Sequence, residues 1–297
     1  MNRLAAAATI AGLAAFFSGC ASTGTREPAP VINAEPPTYA EIATAHNERA
    51  SRLPRLWARA AVRMQYTDDD GDRRREQGEG HLQIIAPARL ALSVGKVGEV
   101  LFWLGSDDHR FWWFDLSENS RASVARHENV LLPCVSEIAL PVHPLDLLDL
   151  LALREIPATG PAPVLDPEGR AVVDFPTPAG ARRVFFDTDT MYPARVELWW
   201  RGEASPAIIA ELEEYERVDL PSVPGVDPRL ASRVTITHVD SDTLMTLFLS
   251  DMSDGSRFGR LSPGVFDFEE LVGSLDPKTI IVLDEDCATP ALDVSSR

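Results

Sequence analysis

The chain has 297 residues, 45% of them hydrophobic, and sets 28 basic against 45 acidic side chains for a formal net charge of −17. That is enough apolar material for a full globular core. The acidic balance excludes nucleic acid, whose phosphates demand Lys and Arg, and equally excludes a basic-patch grip on anionic headgroups.

The first segment is Met1-Asn2-Arg3, an apolar run from Leu4 to Phe17, then Ser18-Gly19-Cys20. A cationic tip, a short greasy core and small residues are the pattern of a secretory signal, and the run is too short for a spanning anchor. The segment resembles the bacterial lipoprotein signal, with Phe17-Ser18-Gly19-Cys20 as the lipobox and Phe17 where Leu is usual. The resemblance implies a signal peptide over 1–19 and lipidation of Cys20. Ala21, which is not Asp, then implies a protein anchored in the outer membrane and facing the periplasm. The alternative is an ordinary cleaved signal in which Cys20 is incidental. Residues 20–37 are small, polar and rich in proline (Pro28, Pro30, Pro36, Pro37) and read as a flexible tether. Cys134 and Cys287 remain as an even pair in an oxidising compartment, and a disulfide or two separate thiols both fit.

A helix is predicted from Tyr39 to about Arg52, with Thr38 as N-cap. From Leu56 the period becomes two: Leu56, Ala58, Ala60, Val62, Met64 and Tyr66 share one face of a long strand. Asp70-Gly71 marks a hairpin turn into a second alternating run carrying Gly78, Gly80, Leu82 and Ile84 on one face. Strands over 89–94, 99–105, 109–115 and 120–126 continue an antiparallel meander. His143 to Leu151 interrupts it as a short, leucine-rich helix with Pro144 in its first turn. Its leucines occupy most of its circumference, so it must be largely buried. After a Pro-rich loop, strands resume at 170–175, 181–187, 194–201, 205–216, 230–239 and 243–250. Asp284 to Arg297 shows no periodicity. About ten to twelve strands and one central helix make one mainly β domain with a helical insert.

Asp68, Asp70, Asp72 and Glu79 match the spacing of a calcium loop, but Arg73 stands where that loop needs glycine, so a solvated turn is expected and no metal. Nucleophile elbows, zinc-protease helices and phosphate-binding glycine loops are all missing. The histidines, His46, His81, His109, His127, His143 and His238, are scattered singly. No enzyme and no cofactor is expected; a hydrolase would require turnover of ester substrates that ends on substitution of His81 or His238. The strands with Val100-Leu101-Phe102-Trp103-Leu104 and Phe111-Trp112-Trp113-Phe114 are apolar on both faces, so both faces must be covered.

This order of elements, a first helix, a long meander, a helix inserted midway and further strands, resembles the LolA/LolB lipoprotein-carrier fold over residues 40–270. Local matches are Leu90-Ala91-Leu92-Ser93 with Gly98-Glu99-Val100-Leu101-Phe102-Trp103, and the turn Asp187 to Pro193 followed by Ala194-Arg195-Val196-Glu197-Leu198. The resemblance implies an antiparallel unclosed half-barrel over 38–275 with helices covering its concave face; the acidic tail at 276–297, read as partly disordered, departs from that family. A lipidated N-terminus is shared with the outer-membrane receptor of that family. The expected ligand is a lipid or the acyl chains of a lipoprotein cargo. Val62, Met64, Leu92, Leu101, Trp103, Trp112, Phe114 and Leu148 are the candidate lining residues. The alternative is a non-catalytic envelope scaffold with a filled core, presenting its acidic surface to a protein partner.

Overall fold

A computed structural model describes residues 36–67, 71–117, 120–132, 135, 142–221, 228–256 and 261–285. Cys20, Cys134 and Cys287, the signal and most of the tether, and Asp68 to Asp70 lie outside the described residues. Among the described residues no helix is long and apolar enough to cross a membrane.

Helix α1 runs Tyr39–Ser51 and starts at a full capping box: Thr38 Oγ1 accepts from the Glu41 N–H, and the Glu41 carboxylate accepts from the Thr38 N–H at 2.8 Å. Tyr39, Ile42, Ala43, His46, Arg49 and Ala50 form its buried stripe, the spacing of one helix face. Strands β1 (Arg55–Thr67) and β2 (Arg73–Ile85) pair from Arg55↔Ile85 to Thr67↔Arg73, and the turn expected at Asp70-Gly71 includes a residue outside the described ones. Leu56, Ala58, Ala60 and Val62 are buried together on one face. Gly80 is required by close approach, since a Cβ there would stand 1.9 Å from the Ser93 carbonyl oxygen of the next strand.

Strands β3 (Arg89–Lys96), β4 (Glu99–Ser106), β5 (Arg110–Asp115) and β6 (Arg121–Arg126) complete the first meander. Helix α2 (Pro144–Leu150) follows, then β7 (Val164–Leu165), β8 (Ala171–Thr177), β9 (Gly180–Phe186), β10 (Pro193–Trp200), β11 (Ile208–Arg217), β12 (Arg229–His238) and β13 (Thr243–Ser253). β13 pairs with β1, so the two meanders join into one sheet of 14 strands with β7 at one edge and a last strand, β14 (Thr279–Val282), at the other. Among the described residues, all pairings between these strands are antiparallel except β14 with β6. The edges do not meet. The chain is therefore an unclosed, mainly β half-barrel, as the resemblance implied, because so many twisted strands curl without closing.

The inner face of the sheet carries α1 and α2 over a core that includes Leu56, Leu92, Leu147, Leu150, Phe186 and Leu247. The outer face carries a separate cluster of Trp57, Trp103, Trp112 and Phe114 under a 3-10 turn (Pro263–Phe266) and helix α3 (Phe268–Leu275). Both faces of the aromatic hairpin are thus covered, the outer one by α3. α3 has its own N-cap, with Asp267 Oδ1 accepting from the Glu270 N–H at 2.9 Å. Arg110 on β5 ties it down through Glu269 at 2.7 Å. β14 lies within the stretch assigned to the acidic tail. Four residues in parallel pairing with a distant strand give no local period to read.

Candidate ligand cavity

A cavity of about 1050 Å³ opens beside α2. Its walls come from both halves of the sheet, β5 on one side and β8 to β12 on the other, closed by α2 and the stretch 127–131. The local sequence explains how α2 serves it. His143 caps the helix, its Nδ1 accepting the Leu145 N–H at 3.1 Å, and Pro144 opens the first turn. Leu147, Leu148, Leu150 and Leu151 sink into the inner core. That leaves the adjoining edge, Leu145, Asp146 and Asp149, to face the cavity. Phe111, Val142, Phe175, Leu198, Trp200 and Ile208 supply apolar walls, beside a large share of charged and polar side chains that includes Glu128, Glu155, Arg201 and His238.

The polar groups are specific. Asp149 and Arg182 form an ion pair across the wall, and the Arg154 Nε stands 3.7 Å from the same carboxylate. The Arg182 guanidinium lies over the Phe175 ring at 5.2 Å. Burial, reinforced by the Asp149 charge and opposed by Arg154, pushes the Asp146 carboxyl up to about 7. Burial also pulls His143 down to about 3, helped by the charges of His127 and Arg154. His127 is lowered by burial too, against the opposing pull of the Asp107 carbonyl. Among the described residues no group of three or more His, Cys, Asp or Glu side chains is arranged to hold a metal ion.

The eight side chains proposed from alternation fall elsewhere. Val62, Leu92 and Leu148 are buried in the inner core, with Met64 packed against it. Leu101 is half-buried on β4. Trp103, Trp112 and Phe114 point to the outer face, where the Trp112 and Phe114 rings each lie 5.7 Å from Phe268. None of the eight lines the cavity. Alternation separates the two faces of a strand but does not say which face is inner, and the inner residue of the aromatic strand at this wall is Phe111. The signal for the cavity was present in α2, where two aspartates interrupt a leucine run; a charged residue in a buried helix needs a reason.

No protein-family model matches the chain, and no curated protein matches it in sequence. Solved structures do match it in fold. One is a DUF1329 family protein from Desulfovibrio piger ATCC 29098 (TM-score 0.52, 9% identity, covering 78% of this chain and 97% of that chain). Another is described as a candidate outer membrane lipoprotein-sorting protein domain from Vibrio parahaemolyticus (TM-score 0.50, 13% identity, 78% and 97%). A third is a LolA superfamily protein from Nitrosomonas europaea (TM-score 0.46, 12% identity, 71% and 92%).

Proposed function

We propose that this chain, whose domain is a LolA-like unclosed half-barrel, is a non-catalytic binding lipoprotein, anchored through Cys20 in the outer membrane and facing the periplasm. Its ligand is hydrophobic, a lipid or the acyl chains of another lipoprotein, and is held in the cavity beside α2. The observation that carries this is the cavity: about 1050 Å³, at the upper end of the ~300–1,000 Å³ common to small-molecule sites, with aromatic and aliphatic walls. Each acyl CH2 moved from water to such walls contributes about 0.8 kcal/mol, so affinity grows with chain length. The lipoprotein-sorting neighbour is consistent with this use of the fold, and localisation of lipoproteins is the process in which such a receptor would act.

The test uses the chain from residue 20 onward with Cys20→Ser, which removes the lipid site. Native mass spectrometry should find co-purified lipid, or the protein should take up a fluorescent fatty acid saturably. Ile208→Trp, which fills part of the cavity, should weaken uptake. A domain that stays dry, ignores the probe and is indifferent to Ile208→Trp would sink the proposal.

A further inference from the structure

We infer that the cavity selects amphiphiles whose head group is uncharged and both donates and accepts a hydrogen bond, and that His143 and His127 read that head. This rests on the cavity being the ligand site.

The protonation of each ring follows from its backbone contact. His143 Nδ1 accepts the Leu145 N–H at 3.1 Å, so the single proton of the neutral ring sits on Nε2. His127 Nε2 lies 2.9 Å from the Asp107 carbonyl oxygen, which can only accept. The proton is therefore on Nε2 and His127 Nδ1 is a bare lone pair. The two remaining nitrogens, His143 Nε2–H and His127 Nδ1, are buried and find no partner among the described residues. The rings are neighbours, in a T-shaped arrangement with centroids 6.1 Å apart. Both pack against Phe111, at 4.3 Å for His143 and 5.9 Å for His127. All three residues line the cavity. One wall thus holds an unused donor beside an unused acceptor, a combination that native interiors rarely leave without a use.

The chemistry that completes it is narrow. A hydroxyl or an amide offers one acceptor and one donor and satisfies both nitrogens. An ester offers an acceptor alone. An ionised carboxylate or phosphate offers acceptors alone, meets the His127 lone pair, and must lose its hydration to reach nitrogens that lie out of contact with solvent. Of the cations that line the cavity, Arg182 is paired with Asp149, Arg154 is turned towards the same carboxylate and Arg201 donates to the Pro178 carbonyl at 3.2 Å, and Glu128 and Glu155 stand among them. Asp146 on the same wall and the formal charge of −17 also oppose an anion. Burial keeps both rings from becoming cations. The ligand class is an acyl chain on a glycerol hydroxyl or an amide.

The experiment measures displacement of a fluorescent fatty-acid analogue from the Cys20→Ser chain by three ligands of one chain length: monopalmitoylglycerol, methyl palmitate and palmitate. Monopalmitoylglycerol should displace at about tenfold lower concentration than either of the others, the worth of one buried hydrogen bond. His127→Phe keeps a ring against Phe111 and removes the acceptor. His143→Ser keeps an N-cap and removes the donor. Each should weaken monopalmitoylglycerol about tenfold; His127→Phe should leave methyl palmitate unchanged, because an ester has no proton for that acceptor, whereas His143→Ser should weaken methyl palmitate as well, a split that a general loosening of the wall would not give. Equal displacement by all three ligands, or a His127→Phe chain in which all three are weakened alike, overturns the inference and leaves the cavity as a ligand site. Displacement by none, with no uptake of the probe itself, overturns the cavity reading beneath it.

Discussion

His46 and His143 are each held neutral in the fold. Burial, then the Arg49 charge, pulls His46 down to about 3, and burial does the same to His143. Between about pH 6.5 and 3 the unfolded chain therefore binds protons that the folded chain refuses. Stability is lost as pH falls below 6.5, by about 2 kcal/mol per ring at pH 5. Asp146 has the opposite sign. Its carboxyl is raised from 3.8 to about 7, so its contribution is present in acid and is lost as pH rises from about 4 through 7. Asp146→Asn should therefore raise the denaturation midpoint at pH 8, by about 1–3 kcal/mol in stability, and change little at pH 4. A difference independent of pH in urea melts would refute the assignment. Gly105 tests the outer cluster at the same scale. A Cβ there would sit 2.4 Å from the Nε1 of Trp112, which is 0% exposed and hemmed in by α3. Gly105→Ala should cost about 1–3 kcal/mol by overpacking, read from thermal melts, and an unchanged Tm would count against that packing.

Helix α1 holds the chain that follows α2 mainly through side chains. Asn47 Nδ2 donates to the Ile156 carbonyl, and Asn47 Oδ1 accepts the Ile156 N–H, both at 2.8 Å. Arg49 donates to the Ala152 carbonyl at 2.7 Å, and Tyr39 OH donates to the Pro157 carbonyl at 2.5 Å. His46 Nε2 meets the Arg154 carbonyl at 2.8 Å. This segment of irregular backbone supplies Arg154, Glu155 and Pro157 to the cavity wall, so α1 sets one side of the site without touching the ligand space. Asn47→Ala orphans two backbone groups of the buried Ile156, at about 1–3 kcal/mol each. It should lower stability and weaken fatty-acid uptake together. Unchanged stability with intact uptake would show that this reciprocal pair does not hold the wall.

At the scale of the molecule, the acidic surface and the apolar cavity divide the work proposed for the protein. A body of formal charge −17 has little attraction for anionic headgroups, so the proposed acyl chains on Cys20 must supply the membrane attachment. Cys20→Ala should move the protein from the membrane fraction to the soluble fraction of the envelope. Retention in the membrane would require another grip on lipid. The fold adds a constraint of its own: α1 and α2 occupy the inner face of the sheet, and the cavity is the space they leave between β5 and β8 to β12.

The sequence by itself determined the local elements. The Thr38 cap, the alternation from Leu56 and the Pro144 start of α2 all act over a few residues, and these elements appear within a residue or two of their expected bounds, whereas β11 starts and β13 ends three residues later than expected. The count and order of strands gave one mainly β domain with a helical insert, and the unclosed half-barrel came from the family resemblance that this order carries. Tertiary structure decided what no short window holds. It chose which face of each aromatic strand is inner, so Phe111 reaches the cavity and Trp103, Trp112 and Phe114 do not. It brought β14 beside β6 across more than a hundred residues and set His127 beside His143. The reason is physical: periodicity records that a side chain is buried, whereas its partner is chosen by the closing of the sheet.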